Sequence, residues 1–368
     1  MGSSFGTLLR LTTFGESHGD FIGGVLDGIP PQIPISREKI QSQLDRRRPG
    51  QSKVSTPRKE EDKVHIGSGL LQQDQTQPSL SLGTPIGFYI KNKDARSQAY
   101  AKFQDIYRPS HADYTYDAKY GIRDWRGGGR SSARETACRV VAGSIALQTL
   151  QHLCPNIKIV AFVQQIQEIK AQINIEELNE EIIESNIVRC PDPVAAKNME
   201  QRILDIKSKK DSVGGIVRCV CLGMPVGLGE PCFDKLEADL AKAMLGIPAT
   251  KGFSIGSGFD SVYMTGSQHN DPFVFENEQV KTRSNYSGGI QGGISNGMPI
   301  YFDVVFKPTA TISQIQQSIN ENHDAVELEA KGRHDPCVVP RAVPIVESMT
   351  ALVLCDHLLR QQGISFKR

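Results

Sequence analysis

The chain has almost no net charge, no closely spaced cysteine motif and no long apolar run, and each absence removes a class of function. Its 42 Lys and Arg residues stand against 41 Asp and Glu, leaving a formal charge of +1. Such a balance gives no electrostatic basis for a nucleic-acid or membrane-surface protein as a whole, so any preference for anions must come from local clusters. No apolar run approaches the roughly 20 residues of a membrane span, and the N-terminal "MGSSFGTLLRLTTF" lacks the apolar stretch of a signal peptide. The eight cysteines contain no C-x-x-C, and the nearest pair, Cys219 and Cys221, would point the same way from a strand. They read as small apolar residues in a reduced, cytoplasmic protein, with no metal expected. The G-x-x-x-x-G-K-[ST] pattern is missing, as is a G-x-G-x-x-G opening a βαβ unit, so a bound nucleotide or flavin is not held in Rossmann fashion. There is no Pro-, Gly- or Ser-rich linker, low-complexity run or short repeat. The expectation is one compact unit over residues 1–368, with a charged helical stretch at about 165–210 on its periphery.

What is present is a mixture of two periods. Strand-like alternation marks "TLLRLTTF", "PIGFYIKN", "KIVAFVQQI", "GGIVRCVCLGMP" and "GMPIYFDVVFKP". Helical spacing marks Ala133–His152, Ile175–Ser185, Asp234–Leu245 and roughly Pro344–Gln361, and a further helix starts near Ser36 and stops at Pro49-Gly50. The fold class that follows is α+β. Glycines, 34 in all, gather in "GGGR", "GSGF", "GGIQGGISNG" and around "TFGESHG". Glycine serves where backbone turns sharply or approaches a ligand closely, and clusters beside Arg, Ser and Thr favour a phosphate-bearing ligand over ordinary turns.

Six constellations could carry chemistry. "TTFGESHG" sets Glu16, Ser17 and His18 side by side, but neighbouring side chains diverge, and a hydrolase triad is a matter of geometry rather than adjacency. "RGGGRSSARE" leads glycines into Ser132, which with Glu135 forms a capping box ahead of a strong helix; Arg130 and Arg134 bracket a helix N-terminus suited to an anion. "LDRRRPGQSK" offers Arg46, Arg47, Arg48 and Lys53 either as a solvated helix end or as an anion-seeking loop, since arginine binds phosphate and carboxylate bidentately. In "YRPSHADYTYDAKYGIRDWRGG", His111 sits among aromatics with Arg108 and Asp113 close by, either as a structural hydrogen-bonder or as a second proton-transfer group beside His18. "KGRHDPCVVPRAVPIVESM" places Arg333, Asp335 and Arg341 in a rigid, proline-bracketed turn, and "FKPTATI" ends a strand with Lys307, Thr309 and Thr311. Together these describe an arginine-rich site with two histidines, an aspartate and glycine loops, suited to a small polyanion and a phosphate-bearing cofactor.

"TTFGESHG", "RRRPGQSK", "RPSHADYTY", "GGGRSSARE", "GLGEPCFDKL", "GGIQGGISNG" and "KGRHDPCVVPRAVPIVE" resemble, in order and unbroken, the signature blocks of the chorismate synthase family. The resemblance runs over nearly the whole chain. It implies the anti-1,4-elimination of phosphate from 5-enolpyruvylshikimate-3-phosphate to give chorismate, with reduced FMN required and no net redox change. It also implies a single-domain sandwich with helices packed between two antiparallel β-sheets, assembled as a homotetramer. The substrate carries about four negative charges, counting a phosphate at about −2, which accounts for a set of Arg47, Arg48, Arg134 and Arg341. By the same resemblance His18 is a proton donor near the leaving phosphate or cofactor, with Ser17 orienting it or the flavin. His111 keeps the reduced flavin in its working protonation state, and Asp335 acts with the flavin ring during hydrogen removal. The FMN-contacting positions are Arg130, Ser131, Ser132, Pro248, Ala249, Gly292, Lys307, Pro308, Thr309, Ala310, Thr311 and Arg333. Arg47 and Lys53 match positions associated with NADPH, the source of flavin reduction in some members, while others depend on an external reductase. Two other readings stand beside this one: a flavin reductase proper, and an RNA- or anion-binding module built on "DRRRPGQSK", against which the neutral net charge counts.

Overall fold

A computed structural model describes residues 2–55, 60–72, 77–93, 101–330 and 335–364. Its strands form where side chains alternate between apolar and polar. In Ile300–Phe306, Ile300, Phe302, Val304 and Phe306 are buried while Val305 is exposed, the period-two pattern of a strand with one face on a core. Lys158–Ile166 is buried almost continuously, because its second face meets a satellite cluster of Val160, Phe162, Leu178, Ile183 and Val220.

Two five-stranded sheets result, antiparallel throughout. The first contains β1 (Ser4–Phe5), β2 (Arg10–Phe14), β3 (Phe21–Asp27), β4 (Val64–Ile66) and β5 (Ile86–Lys91) in the order β1-β2-β3-β5-β4. The second contains β6 (Lys158–Ile166), β7 (Ile169–Lys170), β8 (Gly215–Leu222), β9 (Thr250–Ile255) and β10 (Ile300–Phe306) in the order β7-β6-β8-β10-β9. Thr12 faces Val25 across the first sheet, and Val217 faces Val304 across the second. The five strand segments expected from the sequence all lie in these sheets.

The main helices are α1 (Arg37–Arg47), α2 (Asp113–Tyr120), α3 (Thr136–Leu153), α4 (Pro193–Ser208), α5 (Leu236–Leu245) and α6 (Val339–Ile364). The Ser36 hydroxyl accepts a hydrogen bond from the Lys39 N–H at 3.1 Å, so α1 begins where the sequence signals it. Helix α3 leans on β2 and β3, α6 leans on β6 and β8, and the two helices pack on each other, so one continuous apolar core joins both sheets. Mixed α+β with antiparallel sheets is therefore the observed class.

Three expectations need correction. Helix α6 starts at Val339 rather than Pro344, with that proline inside its first turns. It is also long and apolar enough to cross a membrane by composition, contrary to the reading that no run approaches that length, yet it is the most buried helix of the core. The charged 165–210 stretch is not merely peripheral: Asp192 caps α4, whose Ala195, Ala196, Met199 and Ile203 enter the main core. Cys219 and Cys221 are both buried, as their shared strand face requires, whereas Cys232 is exposed.

The contact between α3 and α6 is tight enough to need a glycine. A Cβ on Gly143 would stand 2.3 Å from the Ser348 Cβ and 2.5 Å from its Cα, so the helices could admit it only by separating. Gly143→Ala is expected to lose about 1–3 kcal/mol through overpacking, outweighing a gain in helix propensity of about 1 kcal/mol. The shift of the urea midpoint at unchanged slope measures it.

Candidate active site

A cavity of about 410 Å³ opens between the loop carrying Arg108 and His111, the glycine loop at Gly127 and Gly128, the start of α3, the turn at Pro248, the end of β10 and the start of α6. The end of the second sheet, the end of α1 and both core helices thus line it, together with His18 from the turn between β2 and β3.

Its arginine side is built around a buried carboxylate. Asp62, 1% exposed, lies between Arg47 and Arg134, which are 2% and 4% exposed. Arg47 Nη1 donates to Asp62 Oδ2 at 3.0 Å, Arg47 Nη2 to the Ala133 carbonyl at 2.7 Å and Arg47 Nε to Thr136 Oγ1 at 3.2 Å. Arg134 donates to the other Asp62 oxygen and, through Nε, to Asn92 Oδ1 at 2.9 Å. Burial pushes the Arg47 guanidinium down to about 10, which still leaves it charged at neutral pH. Burial would raise the Asp62 carboxyl, but the two guanidinium groups outweigh it and hold it below the usual carboxylate range. Beside them, Arg341 pairs with Asp335 and donates from Nε to the Arg47 carbonyl at 3.3 Å.

The histidines flank the glycine loop. His18 Nδ1 is 3.1 Å from the Ser17 hydroxyl. A Cβ on Gly127 would lie 2.5 Å from the His18 ring, and one on Gly128 would lie 3.3 Å from the His111 Cε1, so this loop is glycine because both rings crowd it. Gly127 also adopts φ +79, a left-handed conformation that suits a residue without Cβ. Arg108 Nη2 donates to the Gly127 carbonyl at 2.7 Å, tying the loop to the His111 segment.

The third side is an edge for anions. Lys307 lines the cavity, and burial together with Lys251 lowers its ammonium below the ordinary value. Thr309 Oγ1 is buried with no hydrogen-bond partner among the described residues. Ala249 holds φ +70, unusual for a residue with a Cβ, and its carbonyl accepts from the Lys307 N–H at 2.9 Å. An orphaned hydroxyl, an ammonium and a serine-bearing loop lining one cavity fit a phosphate-bearing ligand.

Of the residues singled out in the sequence, the cavity brings together His18, His111, Asp335, Arg47, Arg341, Ser131, Ser132, Pro248, Ala249, Lys307, Thr309, Ala310 and Thr311. Ser17 is buried behind His18. Arg48 turns outward toward Asp45, with its side chain 45% exposed, and Arg134 is occupied behind the wall by Asp62 and Asn92. Arg130 bonds Thr13 Oγ1 at 2.8 Å and lines an adjoining cavity instead. Pro308 and Gly292 lie off the lining, Lys53 pairs with Glu200 at 2.5 Å away from it, and Arg333 lies outside the described residues. The capping box does not form: the Ser132 hydroxyl accepts from the Arg134 N–H at 3.3 Å, but Glu135 holds Thr13 and Arg139. A 3-10 turn at Ala133–Glu135 therefore precedes α3, and its Ala133 carbonyl faces Arg47. The arginine run is no nucleic-acid stripe, since Arg46 is buried against Glu347 at 2.6 Å and Glu184 at 2.7 Å. Asp62 was invisible in the sequence, because "KEEDK" reads as a solvated charge run.

The family model for chorismate synthase matches residues 9–359. A chorismate synthase of Methylacidiphilum infernorum (isolate V4) is 56% identical over 367 residues, covering 99% of this chain and 98% of its own. Those of Synechocystis sp. (strain ATCC 27184 / PCC 6803 / Kazusa) and Christiangramia forsetii (strain DSM 17595 / CGMCC 1.15422 / KT0803) are 57% and 58% identical, covering 99% and 98% of this chain and 99% of each relative. A crystal structure of chorismate synthase superposes with TM-score 0.74 at 30% identity, covering 97% of this chain and 94% of that one.

Removing the charge of Asp62 should leave Arg47 buried without its counter-ion and Arg134 with Glu60 alone, at 3.9 Å, at a cost of about 3–5 kcal/mol in an Asp62→Asn variant. Because the folded carboxyl is held below its ordinary 3.8, the stabilisation is complete above that value and fades as pH falls through the depressed one. Urea unfolding of both proteins across pH 7 to 3 (a range of about four units) should show the gap closing only at the acid end.

Proposed function

We propose how this cavity works on the premise that the chain belongs to the chorismate synthase family, whose members are lyases. The substrate is 5-enolpyruvylshikimate-3-phosphate, and the observation that carries the reading is a pocket with buried, counter-ion-held arginines on one wall and two histidines across a glycine loop. Arg47 and Arg341 receive the substrate's carboxylates and phosphate. Their partners Asp62 and Asp335 keep the guanidinium planes fixed before the anion arrives, the arrangement that makes charge stabilisation efficient. Arg134 acts through Asp62, and Arg48 from the rim of the loop.

The overall change breaks a carbon–oxygen bond, whose electron pair leaves on phosphate, and a carbon–hydrogen bond at a non-adjacent ring carbon, and forms one new carbon–carbon double bond. Reduced FMN, when bound, supplies the transient electron transfer that lets both bonds break without net redox change. His18, oriented by Ser17, delivers a proton to the departing phosphate. His111 holds a proton position on the opposite side of the glycine loop. Asp335, fixed by Arg341, receives the proton lost from the ring. Ser131, Ser132, Pro248, Ala249, Lys307, Thr309, Ala310 and Thr311 would hold the flavin, with Lys307 and the orphaned Thr309 hydroxyl facing its phosphate. Arg130, Pro308 and Gly292 complete that set from neighbouring segments, and Arg333 joins it by the family's motif alone. NADPH or an external reductase supplies the reducing equivalents, with Arg47 and Lys53 as the NADPH contacts.

The whole chain acts as one domain, a sandwich of helices between the two large sheets. A homotetramer is supported by outward apolar side chains at Phe259, Val262 and Tyr263 and on the hairpin at Phe273 and Phe275, a surface suited to a second copy. Eight unpaired cysteines support a reducing, cytoplasmic setting.

Anaerobic protein with dithionite-reduced FMN and the substrate should release chorismate and phosphate in equal amounts, with far less reductant used than product made. His18→Ala and His111→Ala should each lower kcat by about 10²–10⁴-fold while the far-UV circular dichroism is unchanged. Reduced flavin bound with neither product formed would overturn the reading.

A further inference from the structure

We propose that Asp113 is a positioning residue that fixes His111 as its Nδ1–H tautomer, leaving Nε2 bare toward the cavity. The inference rests on the reading of His111 as a proton-handling group and adds which nitrogen does the work and what decides it.

Asp113 starts α2 and is 4% exposed. Four donors surround its carboxylate. Oδ2 takes the Arg108 backbone N–H at 3.0 Å and Arg108 Nε at 2.7 Å, while Oδ1 takes Arg108 Nη2 at 2.7 Å and lies 2.9 Å from His111 Nδ1. An ionised carboxylate has about four acceptor positions and no proton of its own, so the His111 Nδ1 contact is a bond only if the imidazole donates. Burial pushes the Asp113 carboxyl up, but hydrogen bonds from Arg108 and His111 hold it well below the usual range, so it is ionised at neutral pH.

Arg108 excludes the other tautomer. Its Nη2 also lies 3.1 Å from His111 Nδ1, which invites the opposite assignment, with the imidazole accepting. Nη2 carries two protons, however, and both have shorter partners: Asp113 Oδ1 and the Gly127 carbonyl, each at 2.7 Å. No proton is left for the histidine. Nδ1 therefore bears its own, and Nε2, which makes no hydrogen bond among the described residues, faces Gly128 across a gap where a Cβ would lie 3.4 Å away. The glycine keeps that nitrogen open. A buried aspartate that sets the tautomer of a working histidine is a recurring device, and its asparagine replacement can preserve geometry while reversing the tautomer.

Asp113→Asn is the discriminating change. With its oxygen on the two Arg108 donors at the Oδ2 position, its amide faces only one donor, Nη2, and His111. The reverse orientation would set the amide against two donors. The favoured orientation presents N–H to Nδ1, so His111 must accept there and carry its proton on Nε2.

The test uses full-length protein with 15N-labelled histidine, free of flavin, in long-range 1H–15N spectra at pH 8.5, with His111 assigned by its loss in His111→Gln. The wild type should show the Nδ1–H pattern and Asp113→Asn the Nε2–H pattern. In the reduced-FMN assay kcat should fall at least 100-fold, with KM changed less than threefold and far-UV circular dichroism retained. A wild-type His111 that is Nε2–H or doubly protonated overturns the proposal, with no variant needed. So does an Asn variant that keeps Nδ1–H, or one that flips without losing rate. Wild-type protein that makes no chorismate sinks the reaction reading instead, and the spectra still decide the role of Asp113.

Discussion

The structure depends on one buried carboxylate. Asp62 is the only described acid in contact with both Arg47 and Arg134, and those three side chains tie the end of α1 to the start of α3 and the end of β5. Two guanidinium groups cannot be placed so deep without a counter-ion, because desolvating like charges costs more than any neighbouring dipole returns. With Asp62 between them, Arg134 becomes a strut and Arg47 becomes a cavity wall. The 3-10 turn before α3 belongs to the same arrangement, since its Ala133 carbonyl and Thr136 hydroxyl complete the coordination of Arg47.

The glycine loop plays the complementary part on the other wall. Arg108 reaches from the His111 segment to the Gly127 carbonyl, and Gly127 itself presses on the His18 ring. Neither histidine can shift without disturbing that loop, so their separation is fixed by backbone rather than by flexible side chains. The price of conformational freedom at Gly127 and Gly128 is accepted because a Cβ at either would crowd a histidine ring.

Much of this was legible in the sequence, and the rest was hidden for identifiable reasons. Strands such as Ile300–Phe306 declared themselves by alternation, and α1 by Ser36 and the Pro49-Gly50 stop. The cavity residues contributed by "GESHG", "GGGRSS" and "FKPTAT" could be named because short glycine-bearing motifs keep side chains near their neighbours in sequence. Asp62 could not, since its partners lie 15 and 72 residues away and nothing local separates a buried acid from a solvated one. Arg134 misled for the same reason in reverse, as its position beside the motif is right but its guanidinium turns away from the cavity to Asp62. The capping box failed because Glu135 met Thr13 and Arg139, partners that only the folded chain supplies. The first residues of helix α6 were missed because Pro340 and Pro344 read as a turn, and its full length appears only when α3 and the second sheet pack against it.

The two cavity arginines share a further logic. A chain of net charge +1 cannot draw a polyanion by its overall field, so attraction must come from local groups. Yet bare arginines pointing into a small cavity would be costly in the empty state and would grip any anion, product included. Arg47 arrives with Asp62 and Arg341 with Asp335, so each is partly compensated before the substrate enters. Compensation fixes orientation and lowers the cost of burial, while the residual positive character and Lys307 remain to meet an incoming anion. Between tight binding and free exchange, such a pocket favours a ligand only when several anionic groups are placed to meet all three cations together, and releases it once elimination divides those groups between two products.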